Sequence, residues 1–305
     1  MLSSLVMAGL KDIANACKVS TTTVSRVLNG DTTLSVSGQV RKAVLEEAAR
    51  LGYKTPRQRK APETAVALAV GPVGKPGYEE ALLSYLQGLL PLTRLELFSL
   101  SVPRYDGILT LGPFTEDETA FYSSRSSALL MVDNTGKGLG HDSIAVSFPD
   151  AALKAIAFFL SKGIGTIGFI GGLFNRSGRL LGQERMDTFR RLLSEKGLYR
   201  EEWFGTGAMD EDAGYRSVMA LEELPGGLFL SDPETALGAQ RALRERGSEA
   251  ETVTAVDFLA PPGITGHVLT LYTPDLWRTA ASMLSAKLNG EREGCLRLSW
   301  QALMA

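Results

Sequence analysis

From residue 64 onward the chain alternates short apolar runs with amphipathic ones, and this limits the available folds more than any other feature. TAVALAV (64–70), GILTLG (107–112), ALLMVD (128–133), TIGFIGG (166–172), GGLFLSD (226–232) and TVTAVDF (252–258) are strand-like. Between several of them lie helical patterns: DAALKAIAFFLSKG (150–163), QERMDTFRRLLSEKG (183–197), PETALGAQRALRERG (233–247) and PDLWRTAASMLSAKLNG (274–290). Continuous apolar strands separated by amphipathic helices predict parallel sheets covered on both faces. The span 64–305 suits two doubly wound subdomains around a cleft better than a single sheet. Ligands of such sheets sit beyond the carboxyl ends of the strands.

The first sixty residues follow a different plan. Residues 1–61 hold ten basic and four acidic side chains, a charge of +6, while the remainder holds 22 and 30, a charge of −8. A basic head on an acidic body is the charge plan of a nucleic-acid reader joined to a sensing or catalytic module. Within the head, LKDIANAC spaces Leu10, Ile13, Ala14 and Cys17 along one helix face. KVS makes a tight turn, and Ser20 is placed to cap a second helix from Thr21 to about Asn29. Val40, Val44, Ala48 and Leu51 mark a third helix that stops at Gly52. Two short helices joined by a three-residue turn predict a helix-turn-helix. The second helix of such a unit enters the major groove, where small hydroxyls meet bases and phosphates and an arginine offers paired donors to guanine.

The motif L-K-D-I-A-x-x-x-x-V-S-x-x-T-V-S-R-V-L-N-G, from Leu10 to Gly30, resembles the DNA-binding head of the lactose/galactose repressor (LacI/GalR) family, and Leu51-Gly52-Tyr53 matches its closing L-G-Y. The resemblance implies that Thr21 and Thr22 read bases together with Arg26. It also implies that Ser20, Thr23, Ser25 and Asn29 hold phosphates. KTPRQRKAPE (54–63) reads as a linker and, by the resemblance, as the hinge, with Arg57 and Arg59 toward DNA. Ala61 stands where family hinges carry a leucine that wedges into the minor groove, and Pro56 and Pro62 constrain the backbone.

The likeness extends over the body. YDGILTLG is similar to the family's V-D-G-I-I-x-x-G, KGIGTIGFIGG to its G-H-x-x-I-x-F-I-x-G, and LFLSDPETALGAQRALRERG to its S-D-x-x-A-x-G segment. It implies an α/β chain: an all-α helix-turn-helix head (8–53), a hinge (54–63) and a periplasmic-binding-protein-like body (64–305). The body's subdomains span roughly 64–148 plus 273–290 and 149–272 plus 291–305, the first one trimmed before Tyr105.

Candidate effector residues lie at strand ends: Asp133, Asn134, Asn175, Arg176, Asp232 and Asp257, with Tyr78 in the first loop as an aromatic platform. Carboxylates and amides hold sugars by paired hydrogen bonds. Asp232, followed by Pro233 at a helix start, is equally well placed as a helix cap. Sugar-responsive relatives place an arginine in R-x-x-G-F; LLGQERMDTF puts Gly182 there, with Arg179 or Arg185 available as substitutes.

These features point to a sequence-specific transcriptional regulator, a repressor of the homodimeric kind or a higher oligomer. Its partners would be a palindromic double-stranded DNA operator and a small-molecule effector, most simply a sugar such as a galactoside. A ligand-independent or protein-controlled regulator is the alternative, followed by a doubly wound sugar carrier or enzyme. GIGTIGFIGG holds no clean dinucleotide fingerprint, since its G-I-G-T-I-G leads into the strand-like run instead of following it, and it has no phosphate-loop lysine, so it reads as a tightly packed strand end. Cys17 and Cys295 are far apart, as are His141 and His267, so no metal site, cofactor or disulfide framework is expected. MLSSLVMAGLKD is too short in its apolar run for a signal core, and no membrane span is in view, so a cytoplasmic location is expected.

Overall fold

The computed structural model describes residues 9–29, 31, 34–51, 53, 64–71, 77–133, 141–176, 179–257, 262–291 and 295–304, without the side chains of Ala49, Arg176 and Arg179. The chain divides into two compact units, Met1–Leu130 with Leu284–Glu293, and Met131–Met283 with Gly294–Ala305.

In the first unit the head forms α1 (Leu10–Cys17), α2 (Thr21–Leu28) and α3 (Gly38–Arg50). The helical spacings seen in the sequence converge on one core: Ile13, Ala14, Val24, Val27, Val44 and Ala48 are buried, with Leu10, Cys17, Val40, Leu51 and Tyr53 packed around them. A core this small leaves little reserve, so each buried aliphatic side chain, worth about 1.5–3 kcal/mol, matters to the head's survival. The turn after α1 is sharp because Lys18 adopts the left-handed conformation (φ 53°, ψ 42°), its N–H reaching the carbonyls of Ala14 and Asn15.

The same unit continues with β1 (Thr64–Val70), α4 (Tyr78–Leu89), β2 (Thr93–Leu97), β3 (Gly107–Leu111), α5 (Glu116–Arg125) and the start of β4 (Ala128–Val132). β1 pairs in parallel with both β2 and β3, Val66 lying opposite Leu95 and Gly107. Every residue of β3 and β4 is buried, as the unbroken apolar runs require. Tyr78 is the first residue of α4 and not a loop residue, because α4 begins directly after Gly77.

The second unit contains β5 (Asp142–Val146), α6 (Phe148–Ser161), β6 (Ile167–Arg176), β7 (Arg179–Leu181), α7 (Gln183–Glu195), β8 (Phe204–Ala208), α8 (Glu211–Met219), β9 (Gly227–Leu230), α9 (Pro233–Glu245), β10 (Glu251–Val256), β11 (His267–Thr270), α10 (Pro274–Leu288), β12 (Arg297–Trp300) and β13 (Leu303–Met304). The last turn of α10 returns to the first unit. One sheet has the order β13-β11-β10-β9-β6-β7, with β8 also paired to β6. β6, β8, β9, β10 and β11 run parallel, while β7 and β13 are antiparallel additions. β5 and β12 pair in parallel, Ile144 opposite Leu298.

The glycine-rich run that opens β6 is a packing feature: a side chain on Gly168 would lie 2.6 Å from the Trp203 carbonyl oxygen, and one on Gly172 would strike Met209. α8 and α9 meet backbone to backbone, since any side chain at Gly214 or Gly238 would collide with the carbonyls of Thr235 and Glu211.

Candidate functional site

Two groups of side chains have the chemistry of binding sites, one in each unit. In the head, the Ser20 side chain caps α2 by accepting from the Thr23 N–H at 3.0 Å, and its hydroxyl lies 2.9 Å from that of Thr23. Val24 and Val27 turn inward, while Thr21, Thr22, Arg26 and Asn29 are exposed and Thr23 and Ser25 half-buried. α2 therefore has one apolar face fixed to a core and an opposite face of small hydroxyls and one arginine. Asn29 closes the helix, donating from Nδ2 to the Ser25 carbonyl at 2.8 Å. Arg26 is exposed, and its Nε donates to the Asp31 carboxylate at 2.7 Å. Arg57 and Arg59, with the hinge residues Pro56, Ala61 and Pro62, lie outside the described residues.

In the second unit, Asp133, Asp232 and Asp257 come together around Arg185. Asp133 directly follows β4 and adopts the left-handed region (φ 58°), which aspartate tolerates better than most residues. Its N–H donates to the Ile144 carbonyl at 2.8 Å, and its carboxylate accepts from the Tyr272 hydroxyl at 2.6 Å. Tyr272 is buried, and its own N–H reaches the Asp257 carbonyl at 3.3 Å, so one tyrosine touches two of the acidic strand ends. Arg185 projects from the first turn of α7, where Nη1 donates to the Ser231 carbonyl at 2.7 Å, and its guanidinium lies 5.7 Å from the Phe148 ring centre.

The charges shift one another. Burial pushes the Asp257 carboxyl up to about 6 against the pull of Arg185, with Asp133, Glu234 and Asp232 adding to the rise. Burial acts to lower the Arg185 pKa, but attraction to Asp257, Tyr272, Asp133 and Asp232 outweighs it and leaves the guanidinium more firmly protonated than usual. Burial, then the neighbouring carboxylates, keep the Tyr272 phenol well above its ordinary value, so it stays a donor. The result is a cluster of acceptors around the Arg185 cation, chemistry suited to ligands rich in hydroxyl donors.

Asp232 serves the fold. Its oxygens accept from Gly172 N–H (2.8 Å), Ser231 Oγ (3.1 Å), Thr235 N–H (2.9 Å) and Thr235 Oγ1 (2.5 Å). A carboxylate has about four acceptor positions, so these bonds occupy it as the cap that ties β6 to α9. Asn175 is exposed on β6, opposite Leu180 of β7. Arg176 contributes backbone to the same hairpin, its side chain outside the described residues, as is the whole of Asn134. Tyr78 belongs to the first unit.

Gly182 does not take an arginine's place. It is the N-cap of α7 with φ 89°, and a side chain there would run into the Gly172 carbonyl oxygen. Counting R-x-x-G-F back from Phe189 puts Arg185 at the arginine and Thr188 at the glycine. The aromatic partners, Phe148 and Tyr272, escaped the sequence reading. Phe148 was detectable as an aromatic one residue past the strand end Val146-Ser147, whereas nothing local to Tyr272 marks its bond to Asp133.

No helix among the described residues is long and apolar enough to cross a membrane, and no group of three His, Cys, Asp or Glu among them is placed to hold a metal ion. A helix-turn-helix head on a parallel-rich two-sheet α/β body defines a class: one-chain regulators with a DNA-reading head and a periplasmic-binding-protein-like body.

Comparison with known proteins gives the family. Residues 9–56 match the bacterial regulatory proteins of the lacI family, and residues 156–294 match the periplasmic binding protein-like domain. The chain is 31% identical to the HTH-type transcriptional regulator GalR of Lacticaseibacillus casei, over 92% of this chain and 93% of the relative. It is 28% identical to the HTH-type transcriptional repressor MelR of Bacillus subtilis (strain 168), over 93% and 92%. Among solved structures, a transcriptional regulator CelR–cellobiose complex shares the fold with a TM-score of 0.61 at 20% identity, covering 98% of both chains. The chain belongs to the lacI family of DNA-binding transcriptional regulators.

Proposed function

We propose that the chain is a cytoplasmic, non-enzymatic repressor that binds a palindromic operator as a homodimer and responds to a sugar, most simply a galactoside, held at the acidic cluster of its second unit. The observation that carries this reading is the convergence of Asp133, Asp257 and Arg185 on one spot, supported by Tyr272 and Phe148. Paired acceptors, a fixed cation and an aromatic ring match the hydroxyls and apolar face of a pyranose. The cellobiose complex of the CelR structural neighbour supports a sugar ligand, and the MelR relative's description as a transcriptional repressor supports the direction of control. Arg185 at the arginine position of R-x-x-G-F favours a ligand-responsive regulator over a ligand-independent one.

On DNA, Thr21, Thr22 and Arg26 read base edges, while Ser20, Thr23, Ser25 and Asn29, with Arg57 and Arg59 of the hinge, hold phosphates. One head covers only half a site, and two-fold symmetry doubles both contacts and specificity. Selection of bound duplexes from a random pool at moderate salt tests this. Enrichment of a two-fold symmetric sequence with two chains per duplex supports the reading, and salt-sensitive binding with no enriched sequence overturns it.

A further inference from the structure

We infer that Asp31 is a specificity-determining residue of the DNA-reading head, acting as the clamp that sets the orientation of Arg26. This rests on the reading of Arg26 as a base-contacting residue. Arginine has a long, rotamer-rich side chain, and Arg26 is 43% exposed on the outward face of α2. Left to itself it would sample many orientations and lose that freedom on meeting a base, which weakens binding by roughly 2- to 12-fold per ordered side chain.

Asp31 removes much of that freedom in advance. Its carboxylate accepts from Arg26 Nε at 2.7 Å, which fixes the guanidinium plane because Nε lies in it. Asp31 is itself held from both sides: its N–H donates to the Arg26 carbonyl at 3.0 Å, and its carbonyl accepts from Arg41 Nη2 at 3.1 Å. Arg41 also reaches the Leu34 carbonyl at 3.5 Å, anchoring the segment that follows α2 to α3. The chain thus returns a carboxylate to the one position on α2 where an arginine must be aimed. Because the bond uses Nε, it also sets the plane in which the guanidinium's other donors lie. The same carboxylate opposes loose attachment to phosphates, so it favours the cognate site by two routes that a test can separate.

The test uses the full chain and the duplex it enriches from a random pool, together with the three single-base-pair variants at each position. In the wild type, one base pair per half-site discriminates through Arg26 by roughly 5- to 150-fold. Asp31→Ala is expected to cut discrimination at that base pair by roughly 2- to 12-fold. Asp31→Asn, which keeps the acceptor oxygen and loses the charge, is expected to retain discrimination while binding to unrelated duplexes rises. In an Arg26→Ala background, Asp31→Ala is expected to change discrimination no further. Thermal melting of each variant confirms a folded head. If Arg26→Ala abolishes discrimination and Asp31→Ala leaves it intact, Asp31 does not position the arginine and the inference fails. If Asp31→Asn loses discrimination as fully as Asp31→Ala, charge alone is at work and the clamp is overturned. Unchanged discrimination in Arg26→Ala, or no enriched duplex at all, overturns the base-reading role and this inference with it.

Discussion

The head and the acidic cluster of the second unit are built in opposite ways. The head draws its outward face from ten consecutive residues, Ser20 to Asn29, on one short helix whose inner valines lock it to a three-helix core. The cluster gathers residues 133, 185, 257 and 272, from the tips of β4 and β10, the first turn of α7 and the residue two past β11. A reading face made of consecutive residues tolerates change one contact at a time, since each side chain meets the outside independently. A cluster made of distant strand ends is held together by mutual charge, so removal of one member disturbs the rest.

The largest expected effect follows from that contrast. Arg185→Ala removes the cation that offsets Asp257, Asp133 and Asp232, together with the bond to the Ser231 carbonyl, and leaves those carboxylates uncompensated. The second unit should melt earlier and lose any sugar-induced thermal shift, while duplex binding without sugar is unchanged. The mirror experiment is Ile13→Ala, which removes a fully buried side chain from the head's small core at a cost of about 2–5 kcal/mol. DNA binding should disappear while sugar binding survives; loss of both would show that the two sites are not separable.

Asp257 gives a pH signature. Its carboxyl is raised from 3.8 to about 6 in the folded chain, so the folded state binds the proton more tightly than the unfolded one. Its contribution to stability is complete below pH 4 and is lost as pH rises through about 6. A shift of this size corresponds to at most ~3 kcal/mol, so Asp257→Asn should stabilise the body at pH 7 and make little difference at pH 4. Comparing wild type and variant by thermal melting at the two pH values isolates this residue. Smaller is Arg26→Ala, expected to weaken the cognate duplex by about 1–3 kcal/mol and relax preference at one base pair, read by competition binding. Smallest is Tyr272→Phe, which leaves the ring and removes the hydroxyl bond to Asp133. A loss of about 1–1.5 kcal/mol in sugar affinity, measured by calorimetry, with unchanged duplex binding would place Tyr272 as a support for Asp133.

The same contrast explains what was legible in the sequence. The three head helices and the six singled-out strands stand where their periodicity put them, with shifts of one or a few residues. The largest shift is at β6, which runs on to Arg176 to form a hairpin with β7. Among the elements that escaped notice, β2 is TRLEL, with Arg94 and Glu96 in it, and α5 is EDETAFYSSR, whose only buried residue is Thr119, whereas α4 (YEEALLSYLQGL) is long and leucine-rich. Among the candidate site residues, the exposure of Thr21, Thr22 and Arg26 is legible because helical spacing alone decides which side chains turn outward. Arg185 is legible only by counting back from Phe189, because Thr188 stands where the motif carries its glycine and Gly182 lies three residues before the arginine. Tyr272 was invisible because its partner is 139 residues away along the chain. Asp232 shows the limit from the other side: a strand-end acid followed by proline fits a ligand or a cap, and only its four donors decide that it caps.

The central claim is that the sugar site and the DNA-reading face act on each other. Affinity for the enriched duplex, measured with and without a galactoside that raises the melting temperature of the body, tests it directly. The account predicts a change of roughly 5- to 150-fold in duplex affinity, with a reciprocal change in sugar affinity when duplex is present. Sugar binding that leaves duplex affinity unchanged would contradict it.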